Sequence, residues 1–243
     1  METILPHLLL YLHILSNSCT IKILIGENMH TEMPDIVDTM WFARKDLGLR
    51  YPRAAAHRLA QKGELVRLKQ GLYIRADRAQ DLYVRGQAAN RLYGPSYVSF
   101  AWALRFYRLI PEDVPHLTSA TFKKGKTKRF DTPIGSFFYH DVPQAAYPLS
   151  LTFAEDGKRR FLIASPEKAL CDELYLKPPL RALKDIPALL FDDMRLDEAD
   201  FFALDQKLLR SLTGAYRSTT LRTFARFLEK ENDRCRGNIE KPS

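Results

Sequence analysis

The segment from Pro52 to Arg75 constrains the fold more than any other, because its boundaries are residues with restricted or unusual backbone freedom. Pro52 suits the first turn of a helix, where its missing N–H removes no hydrogen bond. Ala54-Ala55-Ala56 is a run of strong helix formers, and Gly63 supplies the left-handed residue that ends a helix. Two alternating runs follow, Glu64–Leu68 and Leu72–Arg75, around Lys69-Gln70-Gly71, a tight turn whose glycine accepts positive φ. Residues 52–75 are therefore expected to form a helix and then a hairpin.

Two shorter helices are expected ahead of it. One covers Pro34–Met40, with Ile36, Val37 and Met40 facing inward, and the other Ala43–Leu47, stopped by Gly48. Three helices and a basic hairpin are the order of a winged helix-turn-helix. On the third helix Ala55, Ala56 and Leu59 share one face, and Arg53, Ala54, His57, Arg58 and Gln61 share the other. A slim helix of this kind suits the major groove, where guanidinium bonds guanine or phosphate and glutamine pairs with adenine. An isolated basic helix face is more often simply solvated, and the hairpin and the local charge tip the balance. Residues 41–78 hold ten Lys and Arg against three acids, nearly the whole of the chain's net charge of +8. The expected DNA contacts are Arg50, Arg53, His57, Arg58, Gln61 and Lys62 on or beside the helix, and Arg67, Lys69 and Gln70 in the wing. Arg53, His57 and Gln61 are expected to reach base edges, Arg67 and Lys69 to meet phosphate.

Composition narrows the remaining classes. Of 243 residues 46% are hydrophobic and 27% charged, which excludes wholesale disorder and fibrous repeats. Cys19, Cys171 and Cys235 are odd in number and far apart, so neither a disulfide framework nor a zinc site is expected, and a reducing cytoplasm is the simplest compartment. Residues 1–30 read as an extension. Their apolar run, Ile4–Leu15, is too short to span a bilayer and lacks the basic start of an export signal, so no membrane partner is expected.

Residues 81–232 read as an α+β unit with a helical C-terminal part, and 233–243 as a frayed tail. Helices are expected at Leu82–Leu92 and Ser96–Leu109, the second with an apolar stripe of Val98, Ala101, Trp102 and Phe106. Strands are expected at Val114–Thr121, Lys128–Thr132, Ser136–Asp141 and Phe161–Ala164. Ser165-Pro166-Glu167 then opens a helix to Leu176 with a serine cap, a proline in the first turn and an acid beside it. Apparent catalytic motifs fail on context. Gly125-Lys126-Thr127 lacks the earlier glycine and following helix of a phosphate loop, Ser165-x-x-Lys168 lacks its companion motifs, and Cys171 sits in an amphipathic helix. Asp192-Asp193 reads as a solvated helix end, and His116 and His140 as structural. No nucleophile, base and orienter set emerges, so no catalytic residue, metal or cofactor is expected. The rival class is an enzyme acting on nucleic acid. The basic run Lys123, Lys124, Lys126, Lys128 and Arg129 is expected in an exposed loop, either a solubilising hairpin tip or a second contact to nucleic acid or a partner.

Several of these segments together resemble a known family. Phe42–Leu47 and Arg58–Tyr73, then Tyr97–Leu104, Arg108–Pro111, Phe130–Gly135 and Ile163–Leu170, follow in the order shown by the AbiEi family, antitoxins of type IV toxin–antitoxin systems. The resemblance covers roughly residues 40–190, with departures at Ala43, where a threonine cap is usual, and at Arg108, where glycine is usual. It implies a bacterial regulator that binds double-stranded operator DNA upstream of its own operon and counteracts a nucleotidyltransferase-type toxin. A stand-alone winged-helix regulator without antitoxin activity is the alternative within the same class.

Overall fold

The computed structural model describes residues 33–44 and 47–239, with side chains through Asp233; the extension 1–30, Lys45, Asp46 and the last four residues lie outside the described part. The fold is mixed α+β and holds two sheets. The smaller is antiparallel, built from β1 (Ile36–Asp38), β2 (Leu65–Lys69) and β3 (Leu72–Arg75) in the order β1-β3-β2. Helices α1 (Thr39–Phe42) and α2 (Pro52–Gln61) lie between β1 and β2 in the chain.

The helix expected over Pro34–Met40 does not form. Ile36 pairs with Ile74 and Val37 with Tyr73, so the segment is a strand before it becomes helix. The pleat explains why: successive residues of a strand face opposite sides. Ile36 joins the main core of the molecule, whereas Val37 joins a smaller core with Met33, Phe42, Ala55, Ala56 and Leu65. A helix would have turned both residues the same way. Met40, expected inside, is 74% exposed. The second expected helix, Ala43–Leu47, falls partly outside the described residues, at Lys45 and Asp46; the described helical turn before it ends at Phe42, and Asp38 caps that turn by accepting from the Trp41 amide at 2.9 Å.

The small sheet is covered on both faces. Ile36, Leu68, Leu72 and Ile74 belong to the main core, and Leu65 and Val37 face α1 and α2. Burying four such side chains removes about 1.5–3 kcal/mol each of exposure cost, so the sheet is an integral layer of the larger body. Polar clamps reinforce the join. Arg159 donates to Asp35 at 2.6 Å and reaches Asp81 at 3.1 Å, and Arg91 donates to the Ile36 carbonyl at 3.0 Å.

The larger sheet has the order β6-β7-β5-β4-β9-β8, from β4 (Tyr97–Val98), β5 (Leu117–Thr121), β6 (Lys128–Thr132), β7 (Gly135–Asp141), β8 (Leu151–Glu155) and β9 (Arg160–Ala164). β4 with β9 and β5 with β7 are parallel, and the other neighbours are antiparallel. Strand β8 has no counterpart in the expectations. The helix expected over Ser96–Leu109 is shorter: Tyr97 and Val98 are taken into the sheet centre, Phe100 turns the chain at φ 62°, and α4 runs Phe100–Phe106. Two sheet partners at once, Ser119 and Ile163, outcompete a helical start at Val98. Helix α3 (Leu82–Leu92) matches expectation and packs on β9 at Gly86, where a Cβ would stand 2.5 Å from the Phe161 ring.

Helix α5 (Pro166–Leu176) begins as expected, with Ser165 accepting from the Lys168 amide at 3.2 Å. The C-terminal part is helical, with α6 (Asp185–Pro187), α7 (Glu198–Ala203), α8 (Gln206–Thr213) and α9 (Thr219–Ile239). Leu221, Phe224, Phe227 and Leu228 form one buried stripe of α9. The helix continues past 232 to Ile239, where a frayed tail was expected. Among the described residues no helix is long and apolar enough to cross a membrane.

Candidate nucleic-acid interface

Helix α2 begins with Pro52 at its first position, and Gly63, at φ 75°, takes the chain into β2. Ala55 and Ala56 are buried, and Arg53, Ala54, His57, Arg58, Gln61 and Lys62 are exposed. The division is the one the sequence predicts. α2 contains no acidic residue, and its outward cations have no carboxylate on the same helix to neutralise them. Arg50 lies just before it with its guanidinium 5.3 Å from the centre of the exposed Tyr51 ring.

The hairpin differs from the expectation at one residue. Alternation along Arg67-Leu68-Lys69 would point Arg67 and Lys69 the same way. A bulge intervenes: Arg67 pairs with Tyr73, and Lys69 with the adjacent Leu72. Tyr73 packs on the α1 and α2 side and Leu72 on the body side, so the two cations diverge. Arg67 is exposed on the face that α2 occupies. Lys69 turns toward the body, where its ammonium donates to the Leu92 carbonyl at 2.5 Å at the end of α3, leaving two of its three N–H groups for other partners. Gln70 is exposed at the turn, Gly71 has φ 79°, and the Thr39 amide donates to the Gly71 carbonyl at 3.1 Å, tying the turn to the start of α1.

The second basic set occupies the β5–β6 loop and the first residues of β6. Asp141 fixes this loop, accepting from the Lys124 and Gly125 amides at 2.7 Å each and from the Thr121 hydroxyl at 2.7 Å. Lys124 donates to the Gly94 carbonyl at 3.3 Å and lies over the Tyr93 ring. Lys128 lies over Phe130, and Arg129 lies over Phe138 and pairs with Asp131 at 2.8 Å. Lys123 and Lys126 are exposed. The two sets, separated by more than fifty residues in sequence, meet at one corner. Lys69 and Lys124 bond carbonyls two residues apart, those of Leu92 and Gly94, and β2 packs beside β6.

A third polar constellation was not foreseen. Lys168 and Asp172, one turn apart on α5, have no exposed surface, and the ammonium donates to Asp172 Oδ1 at 2.5 Å. Ser99 donates to the other carboxylate oxygen at 2.7 Å and Tyr97 at 3.0 Å, and Tyr216 donates to Oδ1 at 2.6 Å. The ammonium also lies over the Tyr97 and Tyr216 rings. Burial lowers the Lys168 pKa against the pull of Asp172, and burial with the carboxylate beside it raises those of Tyr97 and Tyr216. Cys171 lies beside the pair, fully buried, its thiol pushed far up by burial and so held un-ionised. Lys168 and Asp172 meet no solvent, so the cluster serves as a cross-link between β4, α5 and the α8–α9 turn. The only sequence signal for it was the i, i+4 spacing of Lys168 and Asp172. Among the described residues, no group of three or more His, Cys, Asp or Glu side chains is placed to hold a metal ion.

In comparisons with known proteins, no family model matches the chain and no curated protein matches it.

Proposed function

We propose that the chain is a DNA-binding transcriptional regulator whose first unit is a winged helix-turn-helix, with α2 as the groove-reading helix and the β2–β3 hairpin as its wing. The observation that carries this reading is the outward face of α2, where Arg53, His57, Arg58 and Gln61 are exposed on a helix slimmed by alanines and free of acids. The sheet order β1-β3-β2 and the tethered turn at Gly71 support it, because they hold Arg67 and Gln70 beside that face. In this reading Arg53, His57 and Gln61 meet base edges, and Arg50, Arg58, Lys62, Arg67 and the remaining N–H groups of Lys69 meet phosphate. Lys123, Lys124, Lys126, Lys128 and Arg129 extend the phosphate contact from the wing onto the body, since the two basic sets share a corner.

The family resemblance extends the proposal. The regulator acts in the cytoplasm as an antitoxin of a type IV system, represses its own operon and counteracts a nucleotidyltransferase-type toxin. No catalytic step is assigned to it. The first test is fluorescence anisotropy of the full chain with duplex DNA from upstream of its own gene and with a scrambled duplex. Preference for the upstream duplex is expected, and equal affinity for both would reject operator recognition. The second is growth rescue on co-expression with an adjacent nucleotidyltransferase reading frame. Operator binding without rescue would leave a stand-alone regulator.

A further inference from the structure

Several arginines in crevices meet acids. Arg75 meets Asp77, Arg91 meets Asp38, and Arg159 meets Asp35, Asp81 and Asp156. Two clefts differ: one beside α2, lined by Arg50 and Arg53 without an acid, belongs to the interface described above, and the other lies among the C-terminal helices. The latter has a volume of about 590 Å³ between the α8–α9 turn and the first turns of α9, and Arg217, Arg222 and Arg226 line it together with Thr213, Tyr216 and Ala225. Among the described residues no carboxylate lines it. Arg217 also borders the neighbouring hollow beside Pro143, Gln144 and Ala145, again without an acid.

Three guanidinium groups around one hollow repel each other. Arg222 and Arg226 are four residues apart on one helix, a spacing at which like charges destabilise. Arg222 stands in the first turn of a 21-residue helix, whose dipole is positive there and whose first turn has no acid. The described contact that Arg222 makes is with the neutral Thr219 hydroxyl at 3.2 Å. The wall behind them is rigid, since the Tyr216 hydroxyl is held by Asp172 and Lys168 in the buried cluster. The cleft is thus an open, positively charged hollow whose three arginines are exposed to solvent, with Glu229, three residues beyond Arg226, outside its lining.

We propose that this cleft binds a phosphate-bearing small molecule of nucleotide size, its phosphoryl oxygens held by Arg217, Arg222 and Arg226. The volume lies within the roughly 300–1,000 Å³ of small-molecule sites. Each guanidinium offers a planar fork that matches two phosphate oxygens, and three cations suit a di- or triphosphate better than a single phosphate. Tyr216 and Ala225 supply a partly apolar wall for the rest of the ligand. A nucleic-acid backbone presents phosphates in a line, whereas these three arginines line one hollow. The site is independent of the α2 face and of the function proposed above.

The test is isothermal titration calorimetry of the full chain in phosphate-free, low-salt buffer with inorganic phosphate, tripolyphosphate and ATP. Tripolyphosphate and ATP are expected to bind and inorganic phosphate to bind more weakly. Arg222→Gln, and separately the double variant Arg217→Gln with Arg226→Gln, should weaken binding about ten-fold or more, the scale of one lost charge-assisted hydrogen bond. Lys184→Gln, which removes an exposed charge elsewhere, should leave affinity unchanged. ATP binding more tightly than tripolyphosphate would support a nucleotide, and equal affinities would support a free polyphosphate, both within the proposal. Absence of binding by all three at about 1 mM, or an equal loss in Lys184→Gln, would overturn it. So would intact triphosphate binding in both arginine variants when circular dichroism shows them folded.

Discussion

The outward face of α2 and the Lys168–Asp172 cluster hold similar chemistry and are built in opposite ways. The face draws Arg53, His57, Arg58 and Gln61 from nine consecutive residues of one helix and leaves them in solvent. The cluster draws Tyr97, Ser99, Lys168, Asp172 and Tyr216 from three separate parts of the chain and buries all of them, only Tyr216 keeping a small exposed edge. Exposed charges are hydrated and screened, so they cost little to keep and are free to act on a partner. Buried charges are bearable only with every partner in place, so they act on the fold. On the proposed reading the face acts in binding, while the cluster acts in stability.

Asp172→Ala is expected to have the largest effect. It leaves Lys168 buried without its carboxylate and should lower stability by about 3–5 kcal/mol in urea denaturation. A loss below about 1 kcal/mol would mean the cluster does not hold the fold. Lys168→Met should cost less, because three hydroxyls still donate to Asp172.

Arg53→Ala tests the other pole. Affinity for the preferred duplex should fall by about 1–3 kcal/mol, with a smaller loss on scrambled DNA and an unchanged melting temperature. Equal losses on both duplexes would reduce α2 to a merely basic surface. Arg67 and Lys69 lie between the poles. Arg67→Ala should lower the magnitude of the salt slope of DNA binding by about one unit, and Lys69→Ala should lower it less, because Lys69 is partly spent on the Leu92 carbonyl. A larger change for Lys69 would show that the bulge does not separate their roles.

The smallest expected effect belongs to His140, whose ring packs edge-on to Phe100 at 5.4 Å. Burial lowers its pKa, opposed more weakly by the Glu173 charge. The unfolded chain therefore takes up this proton first as pH falls through the ordinary histidine range near about 6.5, and stability declines there. His140→Gln should lose less stability than the parent between about pH 7.5 and 5.5 in thermal melts. Parallel losses would remove His140 from the account.

Legibility followed the range of the forces involved. α2, α3, α5, β6 and the Gly71 turn were readable because caps, proline, glycine and periodicity act within a few residues. The exposed and buried faces of α2 were readable for the same reason. The strand at Ile36–Asp38 was not, because its period is decided by β3, more than thirty residues away, and by two cores on opposite sides. Likewise Val98 reads as one point on a helical stripe until Ser119 and Ile163 claim its backbone.

What the sequence alone determined is a basic, acid-free helix bounded by Pro52 and Gly63, the turn that follows it, and an α+β body whose serine-capped helix begins at Pro166. Local backbone preference and side-chain spacing suffice for these. Tertiary structure alone decided that Lys69 turns from Arg67 toward α3, that two distant basic runs meet beside Leu92 and Gly94, and that Lys168 is buried while Arg217, Arg222 and Arg226 surround an open cleft. A charge carries no local record of its surroundings. Whether it becomes a cross-link, a contact or a binding site depends on which distant groups the folded chain sets beside it, and on whether water remains.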